Sequence, residues 1–248
     1  MRKTRTTRFA SVIAAIAILI SVFCTAGATT ASAAADKVSL YYANKIYSHH
    51  YDSYEVFIKT NDNAQDQKVY AHYNYTGIIG WLDAEAAYVT TLDDGSKIWK
   101  ATFTTVPNQF SVKYEADGVT YWDDNNGNYY TSSTLGSAPI KADRWNGYSL
   151  NEEYFAINAT LQNYAYVKNV FVRYTTDGWN TYSDKALGYD LTYSNGTEKW
   201  STEIDIRNAN NNGSYDGFEY AICYQVNGQT YWANNFGANY DINYCVAH

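Results

Sequence analysis

Short runs in which apolar and polar residues alternate recur every 10 to 15 residues along most of the chain. A period of two is typical of β-strands with one buried face, and no stretch sustains the period of an amphipathic helix. We therefore predict an all-β chain with essentially no helix. The expected strands are Tyr54–Thr60, Lys68–Tyr73, Trp99–Phe103, Phe110–Ala116, Val119–Trp122, Tyr154–Thr160, Asn169–Tyr174, Trp200–Ile206, Phe218–Val226 and Gln229–Trp232.

Two tight hairpins are expected, each followed by a stretch rich in Asn and aromatic residues. Asn227-Gly228 separates two alternating runs, which is the strongest short hairpin signal, and TYWANNFGANYDI (Thr230–Ile242) follows it. Asp117-Gly118 is followed in the same way by TYWDDNNGNYY (Thr120–Tyr130). A large aromatic residue at a strand end beside several carboxamides offers a flat apolar face ringed by hydrogen-bonding groups, which suits a sugar.

The chain contains this design twice because it consists of two copies of one pattern. Val69–Tyr73 matches Val170–Tyr174, and each begins 30 residues before a tryptophan, Trp99 or Trp200. Each copy has the length and strand spacing of an antiparallel β-sandwich. The predicted organisation is a leader at 1–35, a first copy at 36–130, a linker at 131–144 rich in small residues, and a second copy at 145–248.

The first 35 residues have the three regions of a secretory leader. Four basic residues precede an apolar run from about Phe9 to Phe23, and small residues with Ala-x-Ala sites follow. The apolar run is too short for a comfortable membrane span. We expect a secreted, extracellular protein whose signal peptide is cleaved after Ala33 or Ala35.

Charge and composition exclude several classes of partner. Cleavage would leave 14 of the 18 basic residues against 25 acidic ones, a net charge of −11. An acidic chain without a basic run will not be drawn to nucleic acid or to an anionic membrane. The 27 tyrosines suit half-buried strands and agree with the all-β class.

Catalytic and metal motifs are absent from the sequence. The four histidines have no metal-ligand spacing, and no Gly-x-Ser-x-Gly elbow occurs. The run from Asp123 to Gly127 fails the calcium-loop pattern in both possible frames. We expect no enzyme, no cofactor and no metal, and a glycosidase is the less favoured catalytic alternative.

Six of the seven tryptophans fall into three groups. Trp99 and Trp200 lie within alternating strands and are expected in the core. Trp81 and Trp179 lie on loops between polar residues, which a core position explains poorly. Trp122 and Trp232 end the second strands of the two predicted hairpins, and their pattern fits a core position or a binding site equally well.

These residues resemble those of the family 21 carbohydrate-binding module, found as the starch-binding domain of fungal glucoamylase and in glycogen-targeting subunits of protein phosphatase 1. The resemblance rests on VFVRYTTDGWNTYSD (Val170–Asp184), Tyr189, Trp200 and the stretch from Phe218 to Ile242. The family typically ends in an aromatic residue, Asp-Asn-Asn and then Asn-Tyr. Both copies show this ending with one departure each, Ala233 and Asp124.

The resemblance implies two tandem immunoglobulin-like β-sandwich domains that bind α-1,4-glucan such as starch, glycogen and maltooligosaccharides. The implied principal sites are Trp179, Trp232, Asn234 and Asn239 in the second copy, and Trp81, Trp122, Asp124 and Asn128 in the first. Tyr166 and Tyr189 are the nearest matches to a lesser family site. Secreted amylolytic enzymes are possible functional partners.

One function of another class stays open at this point, a secreted adhesion protein that uses the same sandwiches to bind protein partners. Such a protein would not need Trp and paired Asn at matching places in both copies. The cysteines add a further expectation, because Cys223 and Cys245 are the only two left after the leader. In a secreted chain they are expected to form a disulfide.

Overall fold

A computed structural model describes residues 37–46, 52–77, 79–131, 133–144, 147–148, 154–209 and 215–245. These residues form antiparallel sheets, and their helical content is limited to three short 3-10 turns, Arg207–Ala209, Asn235–Gly237 and Ile242–Cys245. The predicted all-β class is thus confirmed. None of the helical turns in these ranges has the length and apolar character that a membrane crossing requires. The leader lies outside the described residues.

The first half of the chain contains eight strands: β1 (Val38–Ile46), β2 (Ser53–Thr60), β3 (Gln67–Asn74), β4 (Leu82–Glu85), β5 (Ala87–Thr91), β6 (Lys97–Phe103), β7 (Gln109–Ala116) and β8 (Val119–Asp123). They form two four-stranded sheets, ordered β1-β2-β6-β5 and β4-β3-β7-β8.

The second half contains ten described strands: β9 (Ile140–Ala142), β10 (Gly147–Tyr148), β11 (Tyr154–Leu161), β12 (Lys168–Thr175), β13 (Ser183–Ala186), β14 (Gly188–Thr192), β15 (Glu198–Asp205), β16 (Glu219–Val226), β17 (Gln229–Ala233) and β18 (Tyr240–Asp241). The sheets are ordered β10-β11-β15-β14 and β13-β12-β16-β17, with β9 and β18 added at β11 and β16. Position by position, this order repeats that of the first half.

Each half buries one core between its two sheets, because alternate residues of the strands point inward. In the second half Val170 and Val172 of β12 share a core cluster with Phe155 and Ile157 of the facing sheet. In the first half, the equivalent strands form a separate core cluster, which includes the fully buried Tyr114. The β-sandwich architecture follows from this packing.

The two predicted hairpin turns are formed. Asn227 and Gly228 have φ of 51° and 74°, and Asp117 and Gly118 have 51° and 77°. Positive φ at both central residues matches the right-handed twist of the flanking strands. These turns set the register that places Trp122 opposite Lys113 and Trp232 opposite Cys223.

All ten predicted strands are present, with ends that shift by one or two residues. The strands that the alternation did not predict have other burial patterns. β13 and β14 are exposed along their whole length, so they show no apolar side. β1 is largely buried on both faces, because residues 134–138 and Phe236 of the second half cover the face that is turned away from the core. It also has a bulge between Leu40 and Tyr42.

The segment predicted as a linker is folded against both halves. The backbone of Thr134 and Ala43 exchanges two hydrogen bonds, and Ser137 N donates to Leu40 O at 2.7 Å. A few residues later, β9 pairs with β11 of the second half. Gly136 passes so close to β1 that a Cβ there would lie 2.1 Å from the Leu40 carbonyl oxygen.

An aromatic side chain of the second half completes the contact between the halves. Phe236 has its ring centroid 5.4 Å from that of Phe57 and stacks on Tyr42 at 6.3 Å. At another point of the junction Arg144 pairs with Glu55 at 2.7 Å and lies over the ring of Tyr244. The two halves are therefore held by apolar packing and by an ion pair.

The predicted Cys223–Cys245 disulfide is wrong, because Cys223 is a free, buried cysteine. β18 pairs with β16 at Glu219, and the chain then continues away from Cys223. Four residues of strand span roughly 13 Å, and bridged cysteines keep their Cα atoms within about 7 Å. Burial raises the pKa of the Cys223 thiol to about 11.

We predict that Gly136→Ala lowers the free energy of unfolding by about 3 kcal/mol, because its methyl group would collide with backbone that cannot move aside. Gly188→Ala is the matched control, since the nearest heavy atom lies 3.9 Å from the added Cβ. Denaturant unfolding of both variants measures the difference. Equal stability of the two variants would contradict the close approach.

Candidate functional site

The candidate site of the second half lies on the outer face of the sheet β13-β12-β16-β17. Phe171 and Trp232 flank Cys223 in one row across this face. The indole of Trp232 is 41% exposed, and it meets the Phe171 ring edge-on, with the centroids 5.9 Å apart. The row presents an aromatic surface to solvent with the buried thiol beneath it.

Arg173 lies next to this aromatic row and forms an ion pair with Asp184. Its Nε and one terminal nitrogen donate to the two carboxylate oxygens of Asp184, both at 2.7 Å. The guanidinium also lies 4.4 Å from the ring centroid of Tyr182 and 5.6 Å from that of Trp232. Hydrogen bonds from Arg173 hold the pKa of Asp184 below its ordinary value, against the effect of partial burial. The positive charge is therefore neutralised within the site.

Trp179 and Asn239 meet at one carboxylate, Glu219. The indole Nε1 of Trp179 donates to Glu219 Oε2 at 2.6 Å, and Asn239 Nδ2 donates to the same oxygen at 3.1 Å. These residues come from the β12–β13 loop, the start of β16 and the segment before β18. Glu219 thereby joins the two predicted ligand contacts that lie farthest apart in the sequence.

The loop that carries Trp179 is fixed by its own polar side chains. Trp179 has φ of +67°, and its backbone N–H donates to Thr175 Oγ1 at 2.9 Å. Asp177 accepts from both the backbone and the hydroxyl of Thr181. These bonds lower the pKa of Asp177 and hold the indole in place before a ligand arrives.

Asn234 caps the 3-10 turn that contains Phe236. Its Oδ1 accepts from Gly237 N at 3.2 Å, so one side-chain atom is used by the fold. The Nδ2 group is the part of Asn234 that can donate to a ligand. The same turn packs Phe236 against Tyr42 and Phe57 of the first half, so the position of Asn234 depends on the junction.

The first half has a related cluster on its corresponding face. His72 stacks on Trp81 at 4.8 Å and meets Trp122 edge-on at 5.0 Å. Trp81 also contacts Tyr129 at 5.1 Å. The structure therefore brings together Trp81 and Trp122, the two predicted aromatic residues of this site, with His72 between them.

An ion-pair network supports this cluster. Asp83 accepts from His72 Nδ1 at 2.6 Å and from Lys113 Nζ at 2.5 Å. Lys113 lies 4.2 Å from the ring centroid of Tyr70. Partial burial opposes ionisation of Asp83, but the bonds from Lys113 and His72 prevail and lower its pKa.

The polar residues predicted for the first-half site make local turn contacts. Asp124 Oδ1 accepts from Gly127 N at 2.9 Å, and Asn128 Nδ2 donates to Asn125 O at 3.2 Å. Their neighbour Asp123 accepts from Leu40 N at 2.8 Å and from the Tyr130 hydroxyl. The acidic pair thus shapes the loop and ties it to β1. Among the described residues, no group of three or more His, Cys, Asp or Glu could hold a metal ion.

Tyr166 and Tyr189 lie apart from the aromatic row. Tyr189 is 54% exposed at the sheet edge and meets Trp200 edge-on at 5.9 Å, while Tyr166 is 98% exposed on the β11–β12 loop. Trp200 and Trp99 pack against the two cores but are only partly buried. Trp200 and Trp99 contact the exposed rings of Tyr189 and Tyr88 edge-on. The sequence predicted both tryptophans as core residues and did not predict these contacts with exposed tyrosines.

The sequence did not single out Arg173, Tyr182 and Glu219 in the second half, or His72 and Lys113 in the first. Arg173 and His72 occupy the same position of the repeated five-residue motif. Each lies between two inward-facing residues of its strand, so period-two alternation assigns it to the outer face. That signal was available in the sequence.

Taken together, the second-half face offers indole rings, a neutralised guanidinium and amide groups within one surface. Aromatic faces pack against apolar C–H groups, and carboxylates and amides bond hydroxyl groups. This arrangement suits a neutral, polyhydroxylated ligand. It contains no nucleophile with an adjacent base among the described residues named above.

Comparison with known proteins shows that the second half is similar to carbohydrate-binding modules. Residues 148–243 match the model of the carbohydrate/starch-binding module, family 21. Protein phosphatase 1 regulatory subunit 3B of Bos taurus is 38% identical over 93 residues, which are 38% of this chain and 33% of that protein. Glycogen-binding subunit 76A of Drosophila melanogaster is 34% identical over 80 residues, 32% of this chain and 12% of that protein. The chain thus spans a third or less of the length of these curated relatives.

Among solved structures, the starch binding domain of Rhizopus oryzae glucoamylase in complex with beta-cyclodextrin and maltoheptaose is 28% identical, with a TM-score of 0.33 over 42% of this chain and 92% of that one. The curated relatives are regulatory and glycogen-binding subunits, and the matched family is a non-catalytic binding module. Over residues 148–243, the prediction that the chain is not an enzyme is therefore confirmed. Its second half, residues 148–243, is similar to the family 21 carbohydrate- and starch-binding modules.

Proposed function

We propose that this protein is a non-catalytic binder of α-1,4-glucan, with its principal site on the outer face of the second half. One observation carries the proposal. Within the region that matches the family 21 model, Trp179 and Asn239 converge on Glu219, and Trp232 lies exposed on the same sheet face.

The physical basis is stacking combined with hydrogen bonding in the plane of the sugar ring. The C–H face of a glucose unit packs against an exposed indole such as Trp232. Amides such as Asn239 and Asn234 both donate and accept, so they suit hydroxyl groups of either orientation. The Arg173–Asp184 pair neutralises the guanidinium, so the face carries no unpaired positive charge that would select an anionic ligand, which suits a neutral polysaccharide.

We extend the proposal to the first half as a second module of the same immunoglobulin-like sandwich type. The support is its identical strand order and the Trp81–His72–Trp122 cluster at the corresponding place. Its contacts differ, because His72 and Lys113 stand where the second half has Arg173 and Cys223. The first site is therefore expected to differ in affinity.

We also propose that the protein is secreted and binds starch, glycogen or maltooligosaccharides outside the cell, where it could assist amylolytic enzymes. The support is the leader pattern of the first 35 residues. The bovine relative is named as a regulatory subunit of protein phosphatase 1, but this chain matches only a third of its length, so binding to that phosphatase is not carried over. The proposal therefore includes the polysaccharide alone as ligand.

The test is an affinity gel with amylopectin, glycogen, pullulan, dextran and xylan in parallel. Amylopectin and glycogen should retard the protein, and dextran and xylan should not, because only the first two contain long α-1,4 chains. Trp81→Ala and Trp179→Ala should each weaken the retardation and leave the melting temperature nearly unchanged, and the double variant should scarcely bind.

Two outcomes would oppose the proposal. Retardation on none of the gels would exclude α-glucan binding. If Trp81→Ala and Trp179→Ala melt many degrees below wild type, their loss of binding reports unfolding and the site assignment is wrong. A truncated core aromatic typically costs about 3–5 kcal/mol.

A second prediction concerns the carboxylate that joins Trp179 and Asn239. Glu219→Ala should weaken maltoheptaose binding about tenfold, equivalent to about 1.4 kcal/mol, because both ligand-binding side chains lose their common acceptor. Glu219→Gln retains an acceptor oxygen and should keep most of the affinity. Calorimetric titration measures both.

Gln109→Ala serves as the control, because Gln109 occupies the position of Glu219 in the first half. This variant should leave the second-half affinity unchanged. Wild-type binding by a folded Glu219→Ala protein would show that the Glu219 contacts do not organise the site.

A further inference from the structure

A cleft of about 320 Å³ lies between the two halves, beside the candidate site of the second half. Trp232 and Asn234 of the second half line one part of it, and Tyr41, Thr90 and Asp93 of the first half line another. This volume lies at the lower end of the range of small-molecule sites. Trp232 therefore belongs both to the exposed aromatic row and to a cleft that the first half completes.

The position of this cleft is fixed by Phe236. The residue adopts φ of 55°, a left-handed conformation that is unfavourable for a bulky side chain. Its ring nevertheless packs against Tyr41, Tyr42 and Phe57 of the first half. The ring is partly buried in these contacts, and this packing offsets the backbone strain, so the turn with Asn234 is held against the first half.

The chemistry of the lining is that of a sugar site. Tyr41 and Trp232 contribute aromatic surface, Asn234 and Asn235 contribute amides, and Thr90 contributes a hydroxyl. Burial, together with the charge of Asp94, raises the pKa of Tyr41 to about 12, so its hydroxyl remains a neutral donor. A neutral ligand with hydroxyl groups and apolar ring faces fits these groups.

We propose that the junction cleft is a glucan subsite shared by the two halves, in which an α-glucan chain seated against Trp232 continues onto Tyr41 and the β5–β6 loop. This inference rests on the proposed function and adds to it. A short oligosaccharide occupies the second-half face alone, whereas a longer chain also contacts the first half. The first half thereby extends the principal site as well as presenting one of its own.

The test is hydrogen exchange of the full chain, read by mass spectrometry, with maltotriose and with maltoheptaose. Maltoheptaose should slow exchange in residues 230–240 and also in residues 88–95 of the first half. Maltotriose should protect residues 230–240 with much less effect on 88–95. In Trp232→Ala, maltoheptaose should protect neither segment, because the chain can no longer be seated.

A matched pair of variants tests the first-half wall. Thr90→Arg places a long side chain in the cleft and should raise the maltoheptaose concentration for half-protection of residues 230–240 about tenfold. The maltotriose concentration should stay unchanged. Thr104→Arg is the control, because Thr104 is exposed just after the end of β6. Thr90 and Thr91 pair with the beginning of β6, so Thr104 lies at the opposite end of that strand, away from the cleft.

The outcomes separate this inference from the proposed function. Protection by neither sugar anywhere would overturn α-glucan binding itself. Protection of residues 230–240 without 88–95, or protection of 88–95 that survives in Trp232→Ala, would overturn the shared subsite and leave glucan binding standing. Equal behaviour of Thr90→Arg and Thr104→Arg would also overturn it.

Discussion

The alternation of side chains across β12 and β16 is the constraint on which the rest of the second half depends. Val170, Val172 and Ile222 point into the core, and Phe171 and Arg173 must therefore point outward. A slip of one residue would exchange the two faces, burying the guanidinium and exposing the valines. The same alternation thus defines both the core and the aromatic surface, and it explains why the site lies on strands as well as loops.

Rigidity of the junction is the second feature that shapes the protein. Two modules on a flexible tether would sample many relative orientations, and avidity would depend on the length of the tether. Here residues 134–138 and β9 pair with both halves, and Phe236 bridges them. Their candidate sites are consequently presented in a fixed relation. Under the proposed function, this relation would favour glucan surfaces or chains that match it.

Much of the fold could be predicted from the sequence. Period-two alternation located ten strands, and the two hairpin turns predicted the pairing of β7 with β8 and of β16 with β17. The exposed edge strands β13 and β14 could not be found in this way, because they have no buried side. The tight packing of the segment from 131 to 144 depends on the close approach of Gly136 to β1, which its composition does not reveal.

For the candidate site, the sequence predicted several residues that the structure brings together, but it did not predict the residues that hold them in place. Trp81 and Trp122 both contact His72, and Trp179 and Asn239 both donate to Glu219, but the sequence predicted neither His72 nor Glu219 for these places. Those contacts join residues from separate strands and loops, so only the tertiary structure displays them. The expected disulfide failed for a related reason, since two cysteines in one module need not lie close in space.

The most direct measurement is a crystal structure of the chain with maltoheptaose. Glucose rings should stack on Trp232, and the glucan chain should lie within hydrogen-bonding distance of Asn234 or Asn239 on the outer face of the β13-β12-β16-β17 sheet. A maltoheptaose chain that is ordered only on the opposite sheet, or only at the edge near Tyr189, would contradict this placement.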